Sequence, residues 1–326
     1  MIFDVIIPVY RPDEKLDAIL KSLCRQVAQP RHILLLVTIP EKHPEEAEAL
    51  VKCLAEKDAR IRTFTVAESA YDHAATRNMG VRETEEGAEL FLLMTQDAVP
   101  ADDHLTERLA AAFADPKTAA AYARQLTGTD ASVAEKCARR FNYPAESLVK
   151  TIDDLPVLGI KTFFCSNVCA MYRRDVFEKT GGFEAPAIFN EDMVYASRIL
   201  HEGYAIRYQA DAQVVHAHAY GLKAQFKRSF DNGASQAIRR DAFEEAPPAK
   251  EGGRYVRETI RTLLRVRQGS RIPYFVLQCA FRYAGFFFGK RYRSLPNGLK
   301  KAFSMNKNYW RKAGFKESKS GTEGRQ

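Results

Sequence analysis

Short apolar runs separated by stretches of helical spacing organise the first part of the chain. FDVIIPVY (3–10), HILLLVTI (32–39), IRTFTV (61–66) and LFLLM (90–94) are rich in β-branched and large apolar residues and too short for ordinary helices. The segments from Asp13 to Gln26, Glu45 to Lys57 and Ala74 to Glu83 carry helical patterns between them. Such alternation predicts a parallel sheet with crossover helices. A ligand of a doubly wound sheet sits beyond the carboxyl ends of the strands, and Tyr10, Thr38 and Asp97 fall at such ends.

Further along, a helix is expected from Asp102 to Phe113, a strand over AAYARQL (120–126) and a strand over FFCSNVCAMY (163–172). RRDVFEKTGG reads as a helix stopped by Gly181 and Gly182. NEDMVYASRILHEG reads as a helix with Asn190 as N-cap, and AIRYQADAQVVHAHAY restores strand character. The weakly patterned stretch from Thr127 to Lys161 reads as a mobile loop region on the acceptor side. From about Leu222 the pattern turns helical, basic and aromatic, which sets domains at 1–222 and 223–315 and a disordered tail at 316–326. There are no internal repeats.

Composition narrows the class. The chain of 326 residues with 46% hydrophobic positions is long enough for one large α/β domain and an appendage. Six scattered cysteines complete no zinc pattern and predict reduced thiols. No basic leader precedes DVIIPVY, so a cytoplasmic location is expected. The net charge of +8 is uneven: residues 250–326 hold 19 Lys and Arg against 4 Asp and Glu, and residues 1–249 hold 30 against 37. No nucleic-acid motif accompanies the basic part, so nucleic acid is not an expected partner.

Two acidic sites carry the candidate chemistry. Asp97 ends a buried strand inside TQDAVP, and a divalent cation such as Mg²⁺ or Mn²⁺ accepts a single protein carboxylate when phosphates supply further oxygens. A turn aspartate before Pro100 has the same local sequence. Glu191 and Asp192 open a helix, where the dipole stabilises negative charge; a base at Asp192 needs partial burial to offset that effect. His216 and His218 lie two apart on one strand face, placed to join Asp97 on a metal or to end the strand in solvent. Arg77 follows a polar turn at a helix start, suited to a nucleobase or phosphate contact, although a surface arginine fits equally.

In combination, IIPVYRP, YDHAATRN, LMTQDAVP, GGFEAPAIFNEDMVYASRIL and VVHAHAY resemble an inverting family 2 glycosyltransferase of the rhamnosyltransferase-like branch, over about residues 3–235. The resemblance implies a GT-A-type doubly wound mixed sheet with a C-terminal helical appendage. It implies transfer of a sugar, L-rhamnose from dTDP-L-rhamnose, to a saccharide or lipid-linked saccharide acceptor in cell-surface polysaccharide synthesis. Carried over by match, Pro8, Tyr10 and Arg11 line the nucleobase pocket, and Asp72 and Arg77 help to hold the nucleotide. Asp97 stands at the metal position, with Gln96 replacing the first acid of the family's DxD motif and Ala98 its last. Asp192, with Glu191 beside it, stands at the general base, and Asn167 lies near sugar or acceptor. A sugar nucleotidyltransferase is the first rival, but VYRPDEK lacks a Gly-rich phosphate loop. A non-catalytic membrane-associated binding protein of the same fold is the second.

IPYFVLQCAFRYAGFFFG (272–289) is long enough to approach a membrane span, but Gln278 and Arg282 interrupt it, and a mid-span Arg costs about 3 kcal/mol. The run is therefore expected to lie on an anionic membrane surface, on the inner face of the plasma membrane. Phe275, Phe281, Phe286, Phe287 and Phe288 would enter the interface and Arg271, Lys290, Arg291 and Arg293 would meet headgroups. A helical mini-core against the catalytic domain is the alternative.

Overall fold

The computed structural model describes residues 1–311 apart from 43, 218–219 and 247–250. Its strands are β1 (Phe3–Val9), β2 (Ile33–Ile39), β3 (Ile61–Ala67), β4 (Leu90–Met94), β5 (Val99–Pro100), β6 (Thr118–Leu126), β7 (Leu148–Lys150), β8 (Cys169–Arg173) and β9 (Ala205–Val215). Among the described residues they form one sheet in the order β3-β2-β1-β4-β8-β6-β9-β5, with β7 also on β9. β1 to β4 are mutually parallel where paired, and β8 runs antiparallel to both β4 and β6. The sheet is therefore mixed, with its switch beside β4, the strand that leads to Asp97.

The helices before and within the sheet are α1 (Glu14–Arg25), α2 (Pro44–Ala55), α3 (His73–Arg82), α4 (Leu105–Ala111), α5 (Val133–Asn142), α6 (Leu155–Leu158), α7 (Arg174–Lys179) and α8 (Glu191–His201). Strand alternation splits the core between the two sheet faces. Val5, Ile7 and Val9 pack with Leu16, Ile19, Leu20 and Leu23 of α1. Ile6 faces the other way, with Leu34, Leu36, Ala74 and Val81. Gly80 lets α3 approach this face, since a Cβ there would lie 2.5 Å from Ile6 Cγ2.

Three expectations need correction. The stretch from Thr127 to Lys161 holds α5, β7 and α6. The run 163–172 is strand only from Cys169, because residues before it turn: Cys169 N–H bonds to Ser166 O, and Asn167 N–H points at a side chain. Asn190 occupies the N-cap position in a left-handed conformation (φ 60°) and makes no side-chain cap; its amide donates to Asn232 Oδ1 at 2.7 Å. The six cysteines are free thiols.

The C-terminal part comprises α9 (Leu222–Ile238), α10 (Arg240–Phe243), α11 (Glu251–Arg265), α12 (Ile272–Lys290) and α13 (Asn297–Phe303). α9 and α12 cross backbone to backbone, because Gly233, Gly285 and Gly289 offer no side chains at the contact. Trp310 packs on Phe230 and Tyr292, and Asn308 reaches Glu68 O at 3.4 Å, returning the chain to the sheet. No helix among the described residues is long and apolar enough to cross a membrane. Phe275, expected on a membrane surface, is buried against Tyr255 of α11, and Phe281 and Phe286 are half-buried. Phe287 and Phe288 of the expected set are exposed, and Tyr274, Val276, Leu277 and Tyr283 are exposed with them. The tail 316–326 lies outside the described residues.

Candidate active site

The carboxyl ends of β1 and β4 open onto a cleft of about 1170 Å³. Pro8, Tyr10, Arg77, Gln96, Asp97, Asn167, Glu191, Asp192 and His216 all line it, so most of the residues named from sequence converge. Arg139 of α5, Arg228 of α9 and Arg282 of α12 complete its walls.

At the β1 end, Tyr10 is held from two sides. Gln96 accepts from Tyr10 N–H at 2.7 Å and donates to Tyr10 C=O at 2.9 Å. A carboxylate cannot do both, so glutamine at this position has a structural reason. The Tyr10 hydroxyl donates to Glu68 at 2.8 Å. Arg11, in a left-handed conformation (φ 45°), stacks over the Tyr10 ring at 5.2 Å.

Asp72 has a different placement from the one expected. Its buried carboxylate caps α3 by accepting from Ala74 and Ala75 N–H, and its second oxygen accepts from Ala187 N–H at 2.9 Å. It is absent from the cleft lining. Arg77 sits one turn into α3, almost fully buried. It donates to His73 O at 2.9 Å and pairs with Glu191 Oε1 at 3.2 Å. Its charge is committed to the acidic pair, not to the cleft mouth.

Asn167 organises that acidic pair. Its backbone N–H donates to Asp192 Oδ2 at 3.1 Å, its side-chain amide donates to Glu191 Oε1 at 3.2 Å, and its oxygen accepts from Tyr172 O–H at 2.7 Å. Asp192 Oδ1 accepts from Met193 N–H at 2.8 Å, so each oxygen takes one N–H and retains a lone pair. Burial raises Asp192 to about 7, and the neighbouring Glu191 charge adds to the rise. Burial alone would raise Glu191 too, but Arg77 and then His73 outweigh it and hold that carboxyl below its ordinary value. Two adjacent carboxyls are thus pushed apart, one kept ionised and one poised near neutrality, which suits a proton acceptor.

Asp97 faces His216, with Oδ1 3.4 Å from Nε2. A carboxylate oxygen and an imidazole nitrogen that each bind one cation at about 2.0–2.2 Å stand about 3 Å or slightly more apart. The pair therefore fits a shared divalent cation whose other positions are filled by phosphate oxygens. No group of three or more His, Cys, Asp or Glu side chains suited to a metal occurs among the described residues. His218, the expected third ligand, lies outside them.

Sequence reasoning missed Gln125, Arg139 and Arg228. Arg139 donates to Gln125 Oε1 and to His216 O, and Arg228 stacks on Phe189 and Tyr220 at 4.9 and 5.6 Å. Nothing local marks these positions, since their partners lie on other elements, His216 being 91 residues from Gln125 and 77 from Arg139.

Residues 4–181 match glycosyl transferase family 2. The chain belongs to that family. It is a glycosyltransferase, and it is similar over nearly its whole length to the O-antigen chain rhamnosyltransferase RfbN of Salmonella typhimurium, at 35% identity over 97% of this chain and 98% of the relative. The O-antigen chain rhamnosyltransferase WbaN of Salmonella anatum is 38% identical over 78% of this chain and 81% of its own. Among solved structures, mannosyltransferase PcManGT from Pyrobaculum calidifontis, in complex with GDP-Man and Mn²⁺, superposes with a TM-score of 0.56 at 17% identity, covering 94% of this chain and 82% of that one. S. aureus TarS 1–349 gives 0.53 at 16% identity, covering 94% and 84%. The mixed sheet is thus the GT-A glycosyltransferase fold expected from the sequence.

Proposed function

We propose that this glycosyltransferase moves an L-rhamnosyl group from dTDP-L-rhamnose to a saccharide or lipid-linked saccharide, with inversion, in the synthesis of a surface polysaccharide. The observation that carries the mechanism is Asp192: a carboxyl on the cleft wall, raised to about 7 and held by Asn167 and Met193. The donor sugar follows from the two relatives, both named as rhamnosyltransferases.

In this reading the nucleotide lies against Pro8 and Tyr10, with the Tyr10 backbone clamped by Gln96; Arg11, stacked on the Tyr10 ring, is absent from the cleft lining. Asp72 acts indirectly, by capping α3 and so placing Arg77. Asp192 takes the acceptor hydroxyl proton while that oxygen bonds to C1 of the sugar and the C1–O bond to the diphosphate breaks. Glu191, ionised and paired with Arg77, keeps the Asp192 proton affinity high. A divalent cation held by Asp97 and His216 would supply charge neutralisation at the departing diphosphate.

The exposed Val276, Leu277, Tyr283 and Phe287, with Arg271, Lys290, Arg291 and Arg293 at the helix ends, suit an anionic membrane surface. Arg291 lies 3.7 Å from the Phe287 ring, joining the basic and apolar groups. A peripheral position on the inner face of the plasma membrane brings the cleft to lipid-linked acceptors. Incubation with a panel of nucleotide sugars and Mn²⁺ tests the donor. Turnover of dTDP-L-rhamnose above the others is expected, and preference for a different donor rejects the rhamnosyl assignment.

A further inference from the structure

We propose that Gln125, oriented by Arg139, is a positioning residue that fixes His216 in the tautomer whose Nε2 lone pair faces Asp97, so that the two side chains form one cation seat before ligand arrives. This rests on the cation reading above.

Gln125 lies near the end of β6 and is buried, as is His216 just beyond β9. The Arg139 guanidinium donates to Gln125 Oε1. An arginine offers only N–H groups, so the amide atom facing it is the oxygen, and Gln125 has a single orientation. Its Nε2 donates to Ser166 Oγ at 3.0 Å, which agrees with that orientation. The same oxygen stands 3.1 Å from His216 Nδ1. A ring nitrogen hydrogen-bonded to an oxygen that can only accept carries the hydrogen, and in a neutral imidazole the lone pair then belongs to Nε2.

That lone pair faces an Asp97 oxygen at 3.4 Å. Two lone pairs face to face are unfavourable, and a shared cation converts the arrangement into an attractive one. Arg139 also donates to His216 O at 2.6 Å, so one guanidinium fixes both the ring's partner and the ring's own backbone. A side chain that orients a metal-binding imidazole through its remote nitrogen typically changes metal affinity by about 10–100-fold when removed.

The test compares Gln125→Met, which keeps length but loses the acceptor, with Gln125→Glu, which keeps it. Nitrogen-15 NMR of the metal-free protein reads the His216 tautomer. Electron paramagnetic resonance reads Mn²⁺ binding in the presence of dTDP. The expected result is a hydrogen on Nδ1 alone in wild type and in Gln125→Glu, and a mixture of tautomers in Gln125→Met. Mn²⁺ affinity should fall about 10–100-fold in Gln125→Met and be no weaker in Gln125→Glu. A wild type that binds no Mn²⁺ removes the cation reading and this inference with it. A wild type that binds Mn²⁺ while Gln125→Met binds it equally tightly, or equal losses in both variants, overturns the positioning role alone.

Discussion

Arg77 on α3 and Glu191 on α8 form a buried ion pair at 3.2 Å, one residue away from Asp192, the carboxyl proposed to take the acceptor proton. The pair keeps Glu191 ionised, and that charge helps to hold the Asp192 proton affinity up. Replacing Glu191 by Gln removes the neighbouring negative charge and frees Arg77 to favour the Asp192 carboxylate. The acidic limb of the kcat profile should therefore move to lower pH, while burial keeps it above the ordinary carboxylate range. Rate measurements from pH 5 to pH 9 on both proteins check the direction, and an unchanged limb counts against the coupling.

Breaking the pair from the other side has a different signature. Arg77→Met leaves Glu191 buried without its cation, a loss of about 3–5 kcal/mol in comparable cases. Urea unfolding should show that loss, and it should shrink as the pH falls and Glu191 takes up a proton.

Asp192 also carries a stability cost. Its folded pKa is raised to about 7, whereas an unfolded aspartate titrates near 3.9. The folded state therefore binds more protons between these values, and stability falls as pH rises through that window. Asp192→Asn should stabilise the protein at pH 8 by about 1–2 kcal/mol, less than the full shift implies because the carboxyl is partly open to solvent. The gain should fade by pH 4. Thermal unfolding at both pH values measures it.

The crossing of α9 and α12 depends on the absence of side chains. A Cβ on Gly289 would lie 2.2 Å from Phe230 O, and one on Gly285 2.2 Å from Phe226 O. Gly289→Ala should destabilise by about 1–3 kcal/mol, as overpacked contacts do, and should loosen the wall that carries Arg282. Gly298→Ala, where a Cβ meets nothing inside α13, is the control and should not lower the unfolding midpoint.

The sequence made the centre of the sheet readable because β1, β2 and β4 are buried on both faces and spell continuous apolar runs. Asp97, Glu191 and Asp192 were readable because each follows or opens a well-marked element. Asp72 was misplaced for a physical reason: a helix cap and a ligand contact ask for the same residue at the same spot. Gln125 and Arg139 left no local trace, since Gln125 meets His216 91 residues away and α5 buries no residue fully. The outward face of α12 was legible only in part, Phe287 and Phe288 being exposed as read and Phe275 covered, because glycine contacts with α9 decide which aromatics are covered.

The base assignment is open to one direct measurement: dTDP-L-rhamnose binding and transfer by Asp192→Asn, side by side with wild type. The expected result is donor affinity unchanged and transfer reduced by about 10²–10⁴-fold, the usual contribution of a positioned base. Transfer at the wild-type rate with the donor bound equally well would contradict the assignment.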